Sequence, residues 1–257
     1  MKALKFTLIV SVALLFAVSC KKDNSAKNNA HVSTDVAADM AASAVAANSF
    51  GFVSMADNIG ANAQATSSAS GQSVNSTLPN AVHQACGTTI VDSSSFSGNT
   101  NSVTFDAFYK FSRTLNCSNN NPDNIVAAVS YHGSFDGPRL SSSASGTASI
   151  TIGGLSSSAT NFTINGSYNR QGSFTSKVGD KTSGSSVINI NATNVTLTKS
   201  PRVITGGSAN ISISGTVPAG SFSFSGTLVF NGNNQATLTV GTSVYIINLL
   251  TGSYTKK

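Results

Sequence analysis

Few residues in this chain have side chains suited to acid–base or nucleophilic chemistry. It contains three histidines and nine acidic residues, and every acidic residue is an aspartate. The one local cluster is the stretch YHGSFDGPR, where His132, Asp136 and Arg139 lie within eight positions. Such a loop could hold an acid/base pair or contact a ligand, with the arginine orienting an anion. The alternative is a strand that ends in an Asp-Gly-Pro turn and leaves His132 in solvent. We favour the turn, because a third partner and a nucleophile are missing.

The motifs of the common enzyme classes are absent from the sequence. There is no G-x-S-x-G elbow, no Walker loop, no dinucleotide-binding glycine motif and no C-x-x-C pair. A glycosidase would need two facing carboxylates, and the scattered aspartates reveal no such pair. We therefore predict a non-enzymatic protein with no catalytic residues, no metal site and no cofactor.

The first twenty residues have the organisation of an export signal. Lys2 and Lys5 precede an apolar run, residues 6–18, that is too short to span a bilayer. Residues 17–20, Ala-Val-Ser-Cys, then place small residues before a cysteine. This segment resembles the lipobox of bacterial lipoprotein signal peptides. The resemblance implies a signal peptide over residues 1–19, lipidation of Cys20 and anchoring of the chain to a membrane.

The residues after Cys20 suggest where in the cell envelope the protein is located. Lys21-Lys22-Asp23 is similar to the export signal of Bacteroidota-type surface lipoproteins. That resemblance implies the outer membrane or the cell surface; the alternative is a charged stub in solvent. In composition and in the strand pattern of residues 84–257, the β-rich domain loosely resembles uncharacterised envelope lipoproteins.

The remaining cysteines fit an exported protein. If Cys20 is lipidated, only Cys86 and Cys117 are left. Two cysteines in an oxidising compartment favour one disulfide, and the alternative is a pair of buried free thiols.

Residues 20–83 have the composition of a flexible tether. The alanine-rich stretch 34–50 could form a short helix capped by Ser33 or Thr34. Its apolar face is built from small residues, so we expect it to pack weakly. Residues 64–76, rich in Ser, Ala, Gly and Asn, are typical of a flexible linker.

Residues 84–257 alternate between apolar and polar side chains with a period of two. In the clearest run, residues 221–230, the apolar side chains are Phe222, Phe224, Leu228 and Phe230, and Ser or Thr fills most positions between them. Similar runs recur about every ten residues, separated by turn-forming clusters, which is hairpin spacing. We predict an all-β domain: an antiparallel meander of about eleven strands that forms a barrel or a two-layer sandwich.

Charge and patterning limit the partners. Charged residues make up only 9% of the chain, and the net charge of +6 includes lysines of the signal and the anchor region. Because the other basic residues are scattered, we expect no nucleic-acid partner. The polar face of Ser, Thr and Asn could contact glycans or matrix.

These observations predict a membrane-anchored cell-envelope lipoprotein with a structural or binding β domain. The alternative is a carrier of lipids or other hydrophobic ligands, in which the strands wrap into an incomplete barrel similar in outline to the lipoprotein-carrier fold. In a carrier, Phe222, Phe224, Phe230 and Leu238 would line a cavity instead of filling a core. A filled core is favoured, since small barrels usually are filled. A hydrolase using His132 and Asp136 is the least favoured reading.

Overall fold

The computed structural model describes residues 32–67, 84–100 and 102–257. The predicted signal peptide, Cys20, the Lys21–Asp23 motif and most of the predicted linker 64–76 lie outside these residues. Among the described residues, no helix has both the length and the apolar character needed to cross a membrane.

One antiparallel sheet contains all eleven strands, and each strand pairs with the next along the chain. This confirms the predicted all-β meander. The sheet is not closed, with β1 and β11 at its edges, which is consistent with an incomplete barrel or a sandwich. The strands are β1 (Thr89–Asn99), β2 (Thr104–Ser118), β3 (Asn121–Asp136), β4 (Leu140–Gly153), β5 (Asn161–Ser176), β6 (Ser183–Thr198), β7 (Ile204–Val217), β8 (Gly220–Gly232), β9 (Gln235–Val240), β10 (Ser243–Asn248) and β11 (Tyr254–Lys256).

The period-two alternation correctly assigned the faces of the strands. In β8, Phe222, Phe224 and Phe230 are at most 8% exposed, while Ser221 and Ser223 between them face solvent. Neighbouring strands place their apolar residues on the same inner face, which belongs to one continuous core. Members of this face include Tyr109, Ile125, Ile150, Phe162, Ile188, Ile211 and Leu238.

Bulges in the middle strands bend the sheet. The β6 register shifts between Thr193 and Thr196, and Asn194 has a φ of 50°. The side-chain alternation changes phase at this point, because one extra residue reverses the faces that follow it. In the neighbouring strand β5, Gly166 has a φ of 142°, and a Cβ there would lie 2.1 Å from the Ser149 carbonyl oxygen. Only glycine fits this position, so the bulge is built into the sequence.

Two N-terminal helices fill the concave side of the sheet. They are α1 (Thr34–Val45) and α2 (Phe52–Ser67), joined by a short 3-10 turn, Ala47–Ser49. Helix α1 contacts β4, β6, β7, β9 and β10, whereas α2 contacts β3, β4 and β5. One helix can contact strands this far apart in the sheet only if the sheet curves around it.

The interpretation of residues 20–83 as a tether is wrong for residues 34–67. Every residue of α1 from Val36 to Val45 is buried, and Phe52, Met55 and Ile59 of α2 are fully buried. Apart from Asp39 and Ser43, this buried stretch is apolar, so it belongs in the core, and its alanines let the backbone lie close to the strands. Tertiary packing therefore stabilises a helix that would be marginal alone. The predicted cap is present, since the Ser33 side chain accepts a hydrogen bond from the Val36 N–H.

The predicted disulfide is confirmed. Cys86 and Cys117 are bonded across a sequence separation of 31 residues. The bond joins the segment before β1 to the end of β2, and so ties an edge strand to the sheet.

Replacing both cysteines, as Cys86→Ser with Cys117→Ser, is expected to lower the free energy of unfolding by about 3–4 kcal/mol. The reason is that the open chain gains the entropy that the 31-residue loop removes. Urea denaturation of the oxidised protein measures the effect, with reduced wild-type protein as the control that should match the variant. Equal midpoints for oxidised wild type and variant would contradict the expectation.

Candidate functional site

A cleft of about 290 Å³ opens at the end of the sheet where β3 turns into β4. Three parts of the chain form its walls: helix α1 with the turn after it, the β3–β4 turn, and the turn between β10 and β11. The lining residues are Asp39, Ser43, Asn48, Ser49, Phe135, Gly137, Pro138, Arg139, Leu140, Thr251, Gly252 and Ser253.

Arg139 joins the β3–β4 turn to helix α1. Its Nε donates to Asp39 Oδ1 at 2.6 Å, and its Nη2 donates to Asp39 Oδ2 at 3.3 Å and to the Tyr254 hydroxyl at 2.8 Å. The turn itself is closed by the Gly137 N–H, which donates to the Leu140 carbonyl. The Arg139 side chain is 44% exposed, and its Nη1 has no partner among the described residues.

The aspartates of α1 lie in two different electrostatic environments. Asp39 is only 3% exposed, and burial raises its pKa although Arg139 acts in the opposite direction. Asp35, one turn earlier, accepts from Lys256 at 2.8 Å and from the Tyr245 hydroxyl at 2.7 Å. The hydrogen bond from Lys256 is the main cause that lowers the pKa of Asp35. Both carboxylates therefore hold α1 in place and are not free to act on a ligand.

Asn48 contributes an unused acceptor to the cleft wall. Its Nδ2 donates to the Thr251 carbonyl at 2.8 Å. Its Oδ1 is buried and receives no hydrogen bond from the described residues. Two backbone bonds, from Ala47 and Asn48 to the carbonyls of Leu249 and Leu250, fix this wall to the C-terminal turn.

A second, much smaller cavity of about 20 Å³ adjoins the cleft, and Ser49 and Phe135 line both spaces. Arg170 of β5 also lines the small cavity and is 6% exposed. The arginine donates from Nη1 to the Ser43 carbonyl at 2.7 Å and from Nη2 to the Ser142 hydroxyl at 2.8 Å. The lining of the small cavity thus includes a buried arginine.

Three tyrosines are stacked beside Arg170. The ring centroids of Tyr109 and Tyr131 are 5.5 Å apart, and those of Tyr131 and Tyr168 are 5.2 Å apart. Tyr131 reaches across β4 because Gly146 has no side chain: a Cβ there would lie 2.6 Å from the Tyr131 hydroxyl. Burial raises the pKa of all three phenols above the ordinary value. They are therefore uncharged at neutral pH.

The structure separates the three residues of the predicted loop. His132 stacks on Phe108, with ring centroids 5.2 Å apart, on the outer face of the sheet. Asp136 pairs with Lys177 at 2.6 Å on the surface. Of the three, only Arg139 lines the cleft, and His132 is among the residues that line the small cavity beside it. Strand β3 ends at Asp136 and the chain turns at Gly137, so this stretch is a strand followed by a turn.

Sequence reasoning missed Asp39, Asn48 and Arg170. Asp39 and Asn48 lay in the segment interpreted as a tether, where nothing local indicated contact with the sheet. Arg170 did carry a signal, because it is in phase with Tyr168 and Phe174 on the buried face of β5. A charged residue on an apolar face of a strand is unusual enough to mark a position for attention.

The residues that a carrier would use to line a cavity are packed in the core. The Phe52 ring of α2 stacks on Phe230 at 6.1 Å between centroids, and Phe222 packs edge-on against Phe174 at 5.9 Å. Leu238 is fully buried. The cleft and the small cavity described above have other linings. Within the described ranges, no group of three or more His, Cys or Asp residues could hold a metal ion.

Comparison with known proteins finds no family model, no curated protein and no solved structure that matches this chain.

Proposed function

We propose that this protein is a membrane-anchored lipoprotein of the bacterial cell envelope whose β domain binds a small ligand without catalysis. The observation that carries the binding role is the cleft beside Arg139. Its volume of about 290 Å³ is close to the lower end of the range for small-molecule sites, about 300–1,000 Å³. Like such sites, it combines apolar walls, Phe135 and Leu140, with a few polar groups that converge on one space.

The hydroxyl groups of the cleft support binding over catalysis. Ser43 Oγ donates to the Met40 carbonyl at 2.9 Å, and Ser49 Oγ donates to the Ser43 carbonyl at 2.7 Å. A nucleophilic serine needs a general base as its partner, and backbone carbonyls cannot take that role. Asp39, the carboxylate that lines the cleft, is engaged by Arg139.

The envelope location rests on the signal segment and the disulfide together. Residues 17–20 resemble a lipobox, and Lys21–Asp23 resemble a surface-export signal. The Cys86–Cys117 bond is the kind of feature that persists in exported proteins. The partners that we propose are the membrane, through the lipid on Cys20, and a small ligand in the cleft.

Closing the mouth of the cleft tests the binding role. Thr251 is exposed and lines the cleft, so Thr251→Trp should place an indole across the opening without disturbing the core. The probe is anilinonaphthalene sulfonate, which has an apolar body and an anionic group, and its fluorescence is expected to rise with wild-type protein and not with the variant. Thr151→Trp, at an exposed position of β4 outside the cleft lining, is the matched control. Equal probe binding by the two variants would contradict a role for this cleft.

Replacing the lipidated cysteine tests the anchor. We expect Cys20→Ala to release the protein from membranes or to leave it unprocessed, because the acyl chains that hold it can no longer be attached. Membrane fractionation and the mass of the mature chain measure the result. A variant that is processed and still fractionates with membranes would show that lipidation is not the anchor.

A further inference from the structure

Arg170 is a buried cation without a carboxylate partner among the described residues. It is 6% exposed, and none of the ion pairs between described residues includes it. Arg113 offers a direct comparison, because it is also buried, at 4% exposed, and pairs with Asp92 at 2.6 Å. Buried charges are normally paired, since leaving water is costly for an ion. The sheet therefore contains two buried arginines, of which one has a counter-ion in the described chain.

The groups around Arg170 do not supply a full negative charge. The Ser43 carbonyl belongs to the last turn of α1, a turn without a basic residue of its own. A helix C-terminus carries only about half an elementary charge. The neighbouring phenols are neutral, because burial raises the pKa of Tyr131 and Tyr168. The Ser142 hydroxyl is also neutral, so part of the arginine charge is left uncompensated.

The position of Arg170 relative to the cleft indicates which kind of ligand group could neutralise its charge. The arginine lines the small cavity, which holds little more than a water-sized group and shares Ser49 and Phe135 with the larger cleft. A ligand whose body occupied the cleft could extend an anionic end past these two residues. The cleft itself is close to electrically balanced, because Asp39 and Arg139 neutralise each other.

We propose that the cleft takes a small organic carboxylate, with its apolar body against Phe135 and Leu140 and its carboxylate paired with Arg170. This inference rests on the proposed binding function and names the class of ligand. A carboxylate can accept the remaining guanidinium N–H groups in the geometry that arginine favours. Asn48 Oδ1, buried and without a donor among the described residues, would select ligands that also carry a donor group.

Binding of three compounds that share one alkyl chain and differ in their polar group tests the proposal. Isothermal titration of octanoate, octanol and octylammonium uses the full chain with Cys20→Ala, so that no lipid anchor competes. We expect octanoate to bind at least tenfold more tightly than octanol, and octylammonium to bind most weakly. If octanol binds as well as octanoate, the carboxylate inference fails while binding in the cleft stands. If none of the three binds, both the carboxylate inference and the proposed binding function fail.

Two arginine variants locate the carboxylate. Arg170→Gln is expected to reduce octanoate affinity to the level of octanol, and unchanged octanol binding reports that the cleft is intact. Arg202→Gln, at an arginine that lines neither the cleft nor the small cavity, is the matched control and should retain the preference for octanoate. If Arg170→Gln keeps the preference, the assignment of the carboxylate to Arg170 is overturned. If Arg170→Gln fails to fold, the comparison of the compounds on the wild-type residues still decides whether a carboxylate is preferred.

Discussion

A chain that begins at Gln84, and so lacks both helices, is expected to fail to fold into a soluble monomer. Its eleven strands would expose the concave face, whose apolar side chains now contact α1 and α2. Burial of Phe52, Met55 and Ile59 alone stabilises the fold by about 5–9 kcal/mol. That is comparable with the whole net stability of a typical domain, about 5–15 kcal/mol. The free energy lost with the helices should therefore exceed the net stability of the domain, and the sheet alone should not fold.

Circular dichroism and size-exclusion chromatography of two truncated chains measure this effect. The control is a chain from Val32 to Lys257, which keeps every element described above and should unfold cooperatively. The chain from Gln84 should aggregate or lack a cooperative transition. If both chains unfold at the same denaturant concentration, the helices are not part of the core, and residues 34–67 act as a tether after all.

Phe224→Ser is expected to destabilise the protein far more than Ser223→Thr. The two residues are adjacent in β8 but point to opposite faces: Phe224 is 8% exposed and packs against Phe222, with ring centroids 6.2 Å apart. Truncating a buried phenylalanine costs about 3–5 kcal/mol, and the new hydroxyl adds the cost of a buried polar group. Ser223→Thr keeps a hydroxyl on the solvent-exposed face, and threonine is favoured in strands. Its effect on the free energy of unfolding should therefore stay within about 0.5 kcal/mol.

Urea denaturation of the chain from Val32 to Lys257 compares these two variants. The midpoint of Phe224→Ser should fall well below that of the wild type, with little change for Ser223→Thr. Similar losses for both would mean that the inner face of β8 is not a core. The phenylalanines would then be available to a ligand, and the carrier interpretation would regain support.

The strands and their faces could be predicted from the sequence because a period of two is a local property. Phe222, Phe224 and Phe230 show which side of β8 is buried without any knowledge of neighbouring strands. The turns between strands are equally local, as at Gly137 and Pro138. The disulfide could be predicted by counting, because Cys86 and Cys117 are the only cysteines after Cys20. The Ser33 cap was predictable for the same reason, since a cap involves residues three positions apart.

Only the tertiary structure decided where the alanine-rich helix lies and what surrounds the cleft. An alanine stripe has too little apolar area to predict its own partner, and its burial depends on the concave surface that the bulges at Gly166 and Asn194 help to create. Asp39, Arg139 and Arg170 come from a helix, a turn and a strand far apart in the sequence. No local pattern shows that both arginines bond to α1, Arg139 to Asp39 and Arg170 to the Ser43 carbonyl, because those contacts depend on how the whole sheet curves around the helix.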